Sequence, residues 1–173
     1  MDYVAPIGIS LQQQVLEQTA RFIELGAELL GRRFEPVPVA FDLRGRTAGM
    51  YRVRREQRLI RYNPWIFAKY FDDSLNVTVP HEVAHYLVDC IHGIRRVKPH
   101  GAEWRGIMDA FGVDSRATAR FDLDGIPQRR QRQFPYRCAC QHHQLGSRRH
   151  TKVQSGEARY RCRQCGEHLV AAS

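Results

Sequence analysis

The stretch VTVPHEVAHYLVDCIHG, residues 77–93, sets His81-Glu82-x-x-His85 inside an apolar run. On a helix, residues four apart lie one turn apart on the same face. His81 and His85 can therefore offer ring nitrogens to a single ion at about 2.0–2.1 Å. Glu82 falls toward the open side of such an ion, where a carboxylate can take a proton from water. The competing reading is two satisfied polar residues on a core helix. Val79, Val83, Ala84, Leu87 and Val88 would bury this helix, and imidazoles and a carboxylate buried without partners are costly, which favours the metal. Pro80 lacks a backbone donor, so it either lies in the first turn or kinks a helix begun near Ser74.

A catalytic zinc needs a third protein ligand and an open position. His92 lies seven residues past His85, about 10 Å further along a continuing helix at 1.5 Å per residue, and cannot reach the same ion. Val88 stands where the metzincin pattern has a helix-breaking glycine, which argues against that class. His100 follows the break at Gly93 and can return to the site, so it is the expected third ligand. Glu103 competes for that role, or orients an imidazole from one turn away.

With 173 residues, the chain has room for one catalytic domain and a small module. Its 27 Lys and Arg against 18 Asp and Glu give a net charge of +9, which favours polyanionic partners. The N-terminus has no cationic start, and no apolar run approaches the roughly 20 residues that span a bilayer. A cytoplasmic monomer without membrane contact is expected. Among five cysteines, the grouping of Cys138, Cys140, Cys162 and Cys165 reads as metal ligation in a reducing compartment. Cys90 is left to the core.

Local patterns predict an α+β fold. Ser10 and Gln13 resemble a capping box, after which Leu11, Val15, Phe22, Ile23 and Leu29 recur at helical spacing until Gly31. Residues 37–41, 47–54 and 58–63 read as a strand beside an antiparallel hairpin. Asn63-Pro64 predicts a capped short helix, and residues 100–112 an amphipathic helix through Trp104, Ile107, Met108 and Phe111. Residues 123–135, with Gly, two Pro and a basic run, read as a linker.

In the C-terminal module, Cys162-x-x-Cys165-Gly166 has the form of a zinc knuckle. Cys138-Ala-Cys140 departs from it, and His143 is the alternative ligand for that half. A structural zinc would largely fold the segment. Between residues 129 and 163, Arg129, Arg130, Arg132, Arg137, Arg148, Arg149, Lys152, Arg159, Arg161 and Arg163 face only Glu157. With Tyr136 and Tyr160 able to stack on bases, this suits nucleic acid, with Arg148, Arg149, Lys152 and Arg161 the candidate contacts. Arg52, Arg54, Arg55, Arg58 and Arg61 form a second basic stretch on the hairpin.

VPHEVAHYLV (79–88), KPHGAEW (98–104), YRCACQHHQLGSRRH (136–150) and YRCRQCGEHLV (160–170) together resemble the SprT family of zincin-like metalloproteases. The resemblance covers nearly the whole chain. It implies a minimal zincin core with a small antiparallel sheet over 1–122, a basic linker at 123–135 and a zinc ribbon over 136–173. It also implies that His81, His85 and His100 bind a catalytic zinc, with Glu82 as acid and base. The expectation is a zinc endopeptidase with one catalytic and one structural zinc, acting on a protein substrate. Analogy with a DNA-dependent eukaryotic relative extends this to DNA-bound proteins, with DNA favoured over RNA. The alternative is a nucleic-acid-binding regulator on a zincin scaffold with little protease activity.

Overall fold

The computed structural model describes residues 3–115, 121–128 and 132–172. The chain forms two compact units, Met1–Gln128 and Arg129–Ser173.

In the first unit, α1 (Ile9–Leu30) buries Val15, Thr19, Ile23 and Gly26, a stripe at helical spacing. The expected capping box does not form. Gly8 occupies the N-cap with no side-chain cap, Ser10 lies inside the helix, and Gln13 bonds instead to Glu17. Gly31 closes the helix in the left-handed conformation, which costs glycine little. Of the expected face, Leu29 stays half exposed. Its place is taken by Gly26, where a Cβ would run into Leu87 Cδ1, so α1 and the motif helix approach closely.

Strands β1 (Val39–Ala40), β2 (Gly49–Arg54) and β3 (Gln57–Tyr62) form one sheet in the order β1-β3-β2. β2 and β3 pair antiparallel from Gly49↔Tyr62 to Arg54↔Gln57, the hairpin read from the sequence. β1 instead pairs parallel to β3, because the connection after it crosses to the far side of β3. The sheet is therefore mixed, and β2 is left as an edge. Along β2, Gly49, Tyr51 and Val53 are half-buried while Met50, Arg52 and Arg54 are exposed, the period-two alternation of a sheet with one covered face.

Helix α2 (Pro64–Lys69) starts at Asn63 as its cap, with Pro64 in the first turn. A further helical run begins with α3 (Phe71–Asp73), widens into a π turn over Ser74–Thr78 and continues as α4 (Val79–His92). Pro80 thus sits in the first turn of α4 within a longer helical run. The turn before it carries the wider hydrogen bond from Val79 N–H to the Ser74 carbonyl. Val79, Val83, Ala84 and Leu87 are fully buried and Val88 nearly so, the valines and the leucine each contributing about 1.5–3 kcal/mol. Helix α5 (Ala102–Ala110) then packs Trp104, Ile107 and Met108 into the core.

The stretch expected to be a linker is held at both ends. Ile126 is buried, Gly125 accepts from Val4 N–H and the Asp124 carbonyl accepts from Lys69 Nζ, all within the first unit. Residues 133–135 belong to β4 (Gln133–Arg137). Arg129 and Arg130 lie outside the described residues. The second unit adds β5 (His142–Gly146), α6 (Ser147–Gln154) and β6 (Val170–Ala171), in an antiparallel sheet ordered β5-β4-β6.

Asn63 ties the start of α2 to the loop before β2. It is fully buried; its Oδ1 accepts from Trp65 and Ile66 N–H, and its Nδ2 donates to the Gly45 and Thr47 carbonyls. Asn63→Ala removes the cap and strands the buried Gly45 carbonyl, so urea unfolding followed by tryptophan emission should show a loss of about 2–4 kcal/mol.

Candidate metal and catalytic centre

Glu82 is held by contacts from strand β2. Its side chain is 6% exposed, and its Oε2 accepts from Tyr51 N–H at 2.7 Å. The approach leaves no room for a side chain at residue 49: a Cβ on Gly49 would lie 2.7 Å from Glu82 Cγ and Oε1 and 2.8 Å from Thr78 Cγ2. Burial pushes the Glu82 carboxyl up to about 7, with the Tyr51 N–H pulling the other way. An acid near neutrality can both accept and return a proton.

His81, His85 and His100 converge. Their Nε2 atoms are separated by 3.2 Å (His81–His85), 3.1 Å (His85–His100) and 3.2 Å (His81–His100). A tetrahedral zinc with bonds of about 2.0–2.1 Å keeps its nitrogens roughly 3.3–3.4 Å apart. The triangle therefore has the size that one zinc requires, and the three donors are of the type zinc takes. Burial lowers the His81 imidazole to about 4, helped by His100. It lowers that of His85 to about 3, helped by both neighbours. Both rings are neutral at physiological pH, the form in which imidazole binds a metal. Among the described residues, this group of donors holds the three histidines alone. Glu103 is exposed on α5 and His92 is exposed at the end of α4.

Trp104, read from the sequence only as a core residue, packs against all three imidazoles. Its ring centre is 4.7 Å from those of His81 and His100 and 5.5 Å from that of His85, and its Nε1 donates to the His81 carbonyl. The His-Gly-x-x-Trp spacing was the available signal, since it carries the chain from His100 through the Gly101 cap into the first turn of α5, where Trp104 lies. Asp89 is a second residue that the pattern did not reveal. It is buried and accepts from Tyr51 Oη, Arg58 Nε and Ile94 N–H. A cleft of about 330 Å³ joins these groups, bounded by Gly49, Met50 and Tyr51 of β2 on one side and by Ile94, Val97 and Pro99 on the other.

In the second unit, the sulfurs of Cys138, Cys140, Cys162 and Cys165 lie within 4.8 Å of one another. Gly166 takes a positive φ of 75° in the turn closed by its N–H on the Cys162 carbonyl. The Cys165 backbone, the Gln141 side chain and the Gln164 N–H hold the Cys162 thiol down to about 5, leaving it a thiolate, the form that binds metal. His143 Nε2 lies 3.3 Å from Cys138 Sγ, beside the four sulfurs rather than in place of one. Cys90 belongs to the first unit, where it is half-buried against the core.

Arg148, Arg149 and Arg161 are exposed. Lys152 is partly engaged by Glu157 at 3.8 Å, and Arg149 lies over the Tyr160 ring at 5.6 Å. Tyr136 does not offer its ring to a base. It is fully buried, bonds through its hydroxyl to His150 Nδ1, and shares that histidine with Phe134, which stacks on it at 3.7 Å. Strand alternation turns residues 134 and 136 to the same inner face. In the first unit, Arg61 is paired with Asp42 and Arg58 with Asp89, while Arg52, Arg54 and Arg55 are exposed.

The profile of the SprT-like family matches residues 12–123, the segment that carries the histidine triangle and Glu82. The chain belongs to the SprT-like family. The SprT-like zinc ribbon domain matches residues 132–172, so the cysteine-bearing unit is a zinc-binding module. The chain is 41% identical to Protein SprT of Klebsiella pneumoniae strain 342 over 166 residues, 95% of this chain and 96% of that one. It is 42% identical to Protein SprT of Enterobacter sp. strain 638 over 94% of this chain and 95% of that one. Against Protein SprT of Escherichia coli O1:K1 / APEC the figure is 40%, with the same coverage. No solved structure matches. Among the described residues, no helix is long and apolar enough to cross a membrane.

The ribbon of this SprT-like chain has a small apolar core, chiefly Tyr136, Leu145 and Cys162, so its fold should depend on its metal. A strong chelator should collapse the amide dispersion of residues 132–172 in NMR spectra. The resonances of α1 and β3 should keep their dispersion.

Proposed function

We propose that this protein is a zinc-dependent metalloendopeptidase of the SprT type, with one catalytic zinc held by His81, His85 and His100 and one structural zinc held by Cys138, Cys140, Cys162 and Cys165. The observation that carries this reading is the pairing of a zinc-sized histidine triangle with a buried carboxylate, Glu82, on one face of a cleft. Zinc bound there would supply a Lewis acid that acidifies water and polarises a peptide carbonyl. Glu82 would take the proton from the attacking water and return it to the leaving amine. The Tyr51 N–H would keep one carboxylate oxygen fixed and the other toward the cleft. Edge strand β2 borders the same cleft, and an extended peptide can add to such an edge by main-chain hydrogen bonds. A pure scaffold has no use for an acid kept buried at this cost, which disfavours the regulator reading.

Glu82→Gln should lower peptide cleavage by about 10²–10⁴-fold while metal analysis finds zinc per chain unchanged. His100→Ala and Cys162→Ala should each lose one of two zincs. Wild-type cleavage by zinc-loaded Glu82→Gln would overturn the mechanism, and a zinc lost only in Cys162→Ala would favour the nucleic-acid-binding regulator.

The exposed arginines of α6 and its surroundings support a nucleic-acid partner; DNA before RNA, and DNA-bound proteins as substrates, rest on the analogy with the DNA-dependent relative. Arg148→Ala with Arg149→Ala should weaken binding to single-stranded DNA and flatten the slope of log affinity against log salt by about 1.4, the loss of two phosphate contacts. An unchanged slope would remove these residues from the interface.

A further inference from the structure

We infer that Asp89 is a positioning residue for the centre, fastening to α4 both the segment that delivers His100 and the strand that holds Glu82. The inference rests on the reading of His81, His85 and His100 as a zinc site. Asp89 lies one turn beyond His85, so the three residues fall at i, i+4 and i+8 along one face of α4. Its carboxylate is 6% exposed and is filled by donors from three other places in the chain. Oδ1 accepts from Ile94 N–H at 2.7 Å. Oδ2 accepts from Tyr51 Oη at 2.6 Å and from Arg58 Nε at 2.7 Å.

Each donor has a consequence for the centre. Helix α4 ends at His92, and Gly93, with a φ of 81°, turns the chain back so that residues 94–99 return to the cleft and place His100. Two described backbone bonds of that return, Arg96 N–H to Gly93 O and Gly101 N–H to Lys98 O, close local turns within it. Beyond the Gly93 N–H to Asp89 carbonyl bond that closes α4, the Ile94 bond to the Asp89 side chain anchors its start to the helix bearing the other two histidines. The Tyr51 bond works on the opposite wall. The same residue gives its backbone N–H to Glu82 and its hydroxyl to Asp89, so one position of β2 bridges the two buried acids of α4. Arg58, partly exposed at the surface, supplies the charge that lets Asp89 remain an anion beside them.

A residue that only stabilises the fold would lower the melting temperature and leave zinc affinity of the folded protein untouched. One that acts through His100 predicts coupling, which a double-mutant cycle reads directly. On the full chain, chelator competition for zinc at the histidine site should show Asp89→Ala weakening affinity about tenfold or more, as for other residues that orient metal ligands. The ribbon zinc serves as the internal reference and should not change. In the His100→Asp background, which keeps a ligand type that zinc accepts, adding Asp89→Ala should cost little beyond the single variant. Wild-type affinity in folded Asp89→Ala, or effects that multiply in the double variant, would overturn the inference.

Where Asp89→Ala does not fold, Asp89→Asn takes its place. A carboxamide must turn its NH₂ either to Ile94 N–H or to the Tyr51 and Arg58 donors, so it also loses part of the network. Amide exchange of Ile94 in metal-free protein separates this inference from the function it rests on. Exchange should speed about tenfold in the Asp89 variant, and an unchanged rate overturns the positioning role. Accelerated exchange with no zinc at the histidine site of the wild type would sustain the anchoring of the segment and overturn the zinc reading.

Discussion

The first unit depends on keeping a carboxylate under an apolar helix. Glu82 must be buried on α4 to share the face of the cleft with His81 and His85, and a buried acid without donors is strongly unfavourable. The chain meets that constraint with one backbone N–H, from Tyr51, which requires strand β2 to lie against α4 at van der Waals distance. Such an approach is open only to a residue without a side chain at position 49. The placement of β2 at the sheet edge, the hairpin that delivers it and the wide turn ahead of Pro80 can all be read as meeting this single contact.

The centre is consequently assembled from elements of very different sequence separation. His81 and His85 come from one helix and are related by its pitch. His100 arrives after a glycine turn, and Tyr51 comes from a strand thirty residues earlier. The packing that joins them is apolar, through Val79, Val83 and Leu87, while the polar contacts decide orientation. In the ribbon the balance is reversed: few apolar side chains are buried, and four sulfurs at the tips of two turns take the place of a core.

What the sequence revealed follows the range of the interactions. The histidine pair, the cysteine pairs and the Asn63-Pro64 helix start depend on spacings of a few residues, and spacing is visible in a string of letters. His100 was legible because a glycine break and a third imidazole at a sensible distance leave few alternatives, and the exposed Glu103 was the only close rival. Gly49, the two bonds of Tyr51 and the donors around Asp89 were not legible, since they exist only once β2 and β3 have docked on α4. Two local misreadings have local causes. Ser10 looked like a cap although the chain had entered the helix one residue earlier, and Tyr136 looked available for stacking although the alternation along β4 turns it inward. The stretch 123–135 read as a linker because it mixes Gly, two Pro and a basic run, and a buried isoleucine, Ile126, holds its first half against the first unit.

Trp104 gives the centre an optical property of its own. The chain has two tryptophans, and one of them lies within 5.5 Å, ring centre to ring centre, of all three imidazoles. The other, Trp65, stands on α2 with the Arg44 guanidinium 5.0 Å from its ring centre. Indole emission responds to charge and to electron acceptors in contact with the ring, so any change in the electronic state of the histidine triangle is written into the fluorescence of one identifiable residue. The protein carries a built-in reporter of its own centre, and no label is needed to read it.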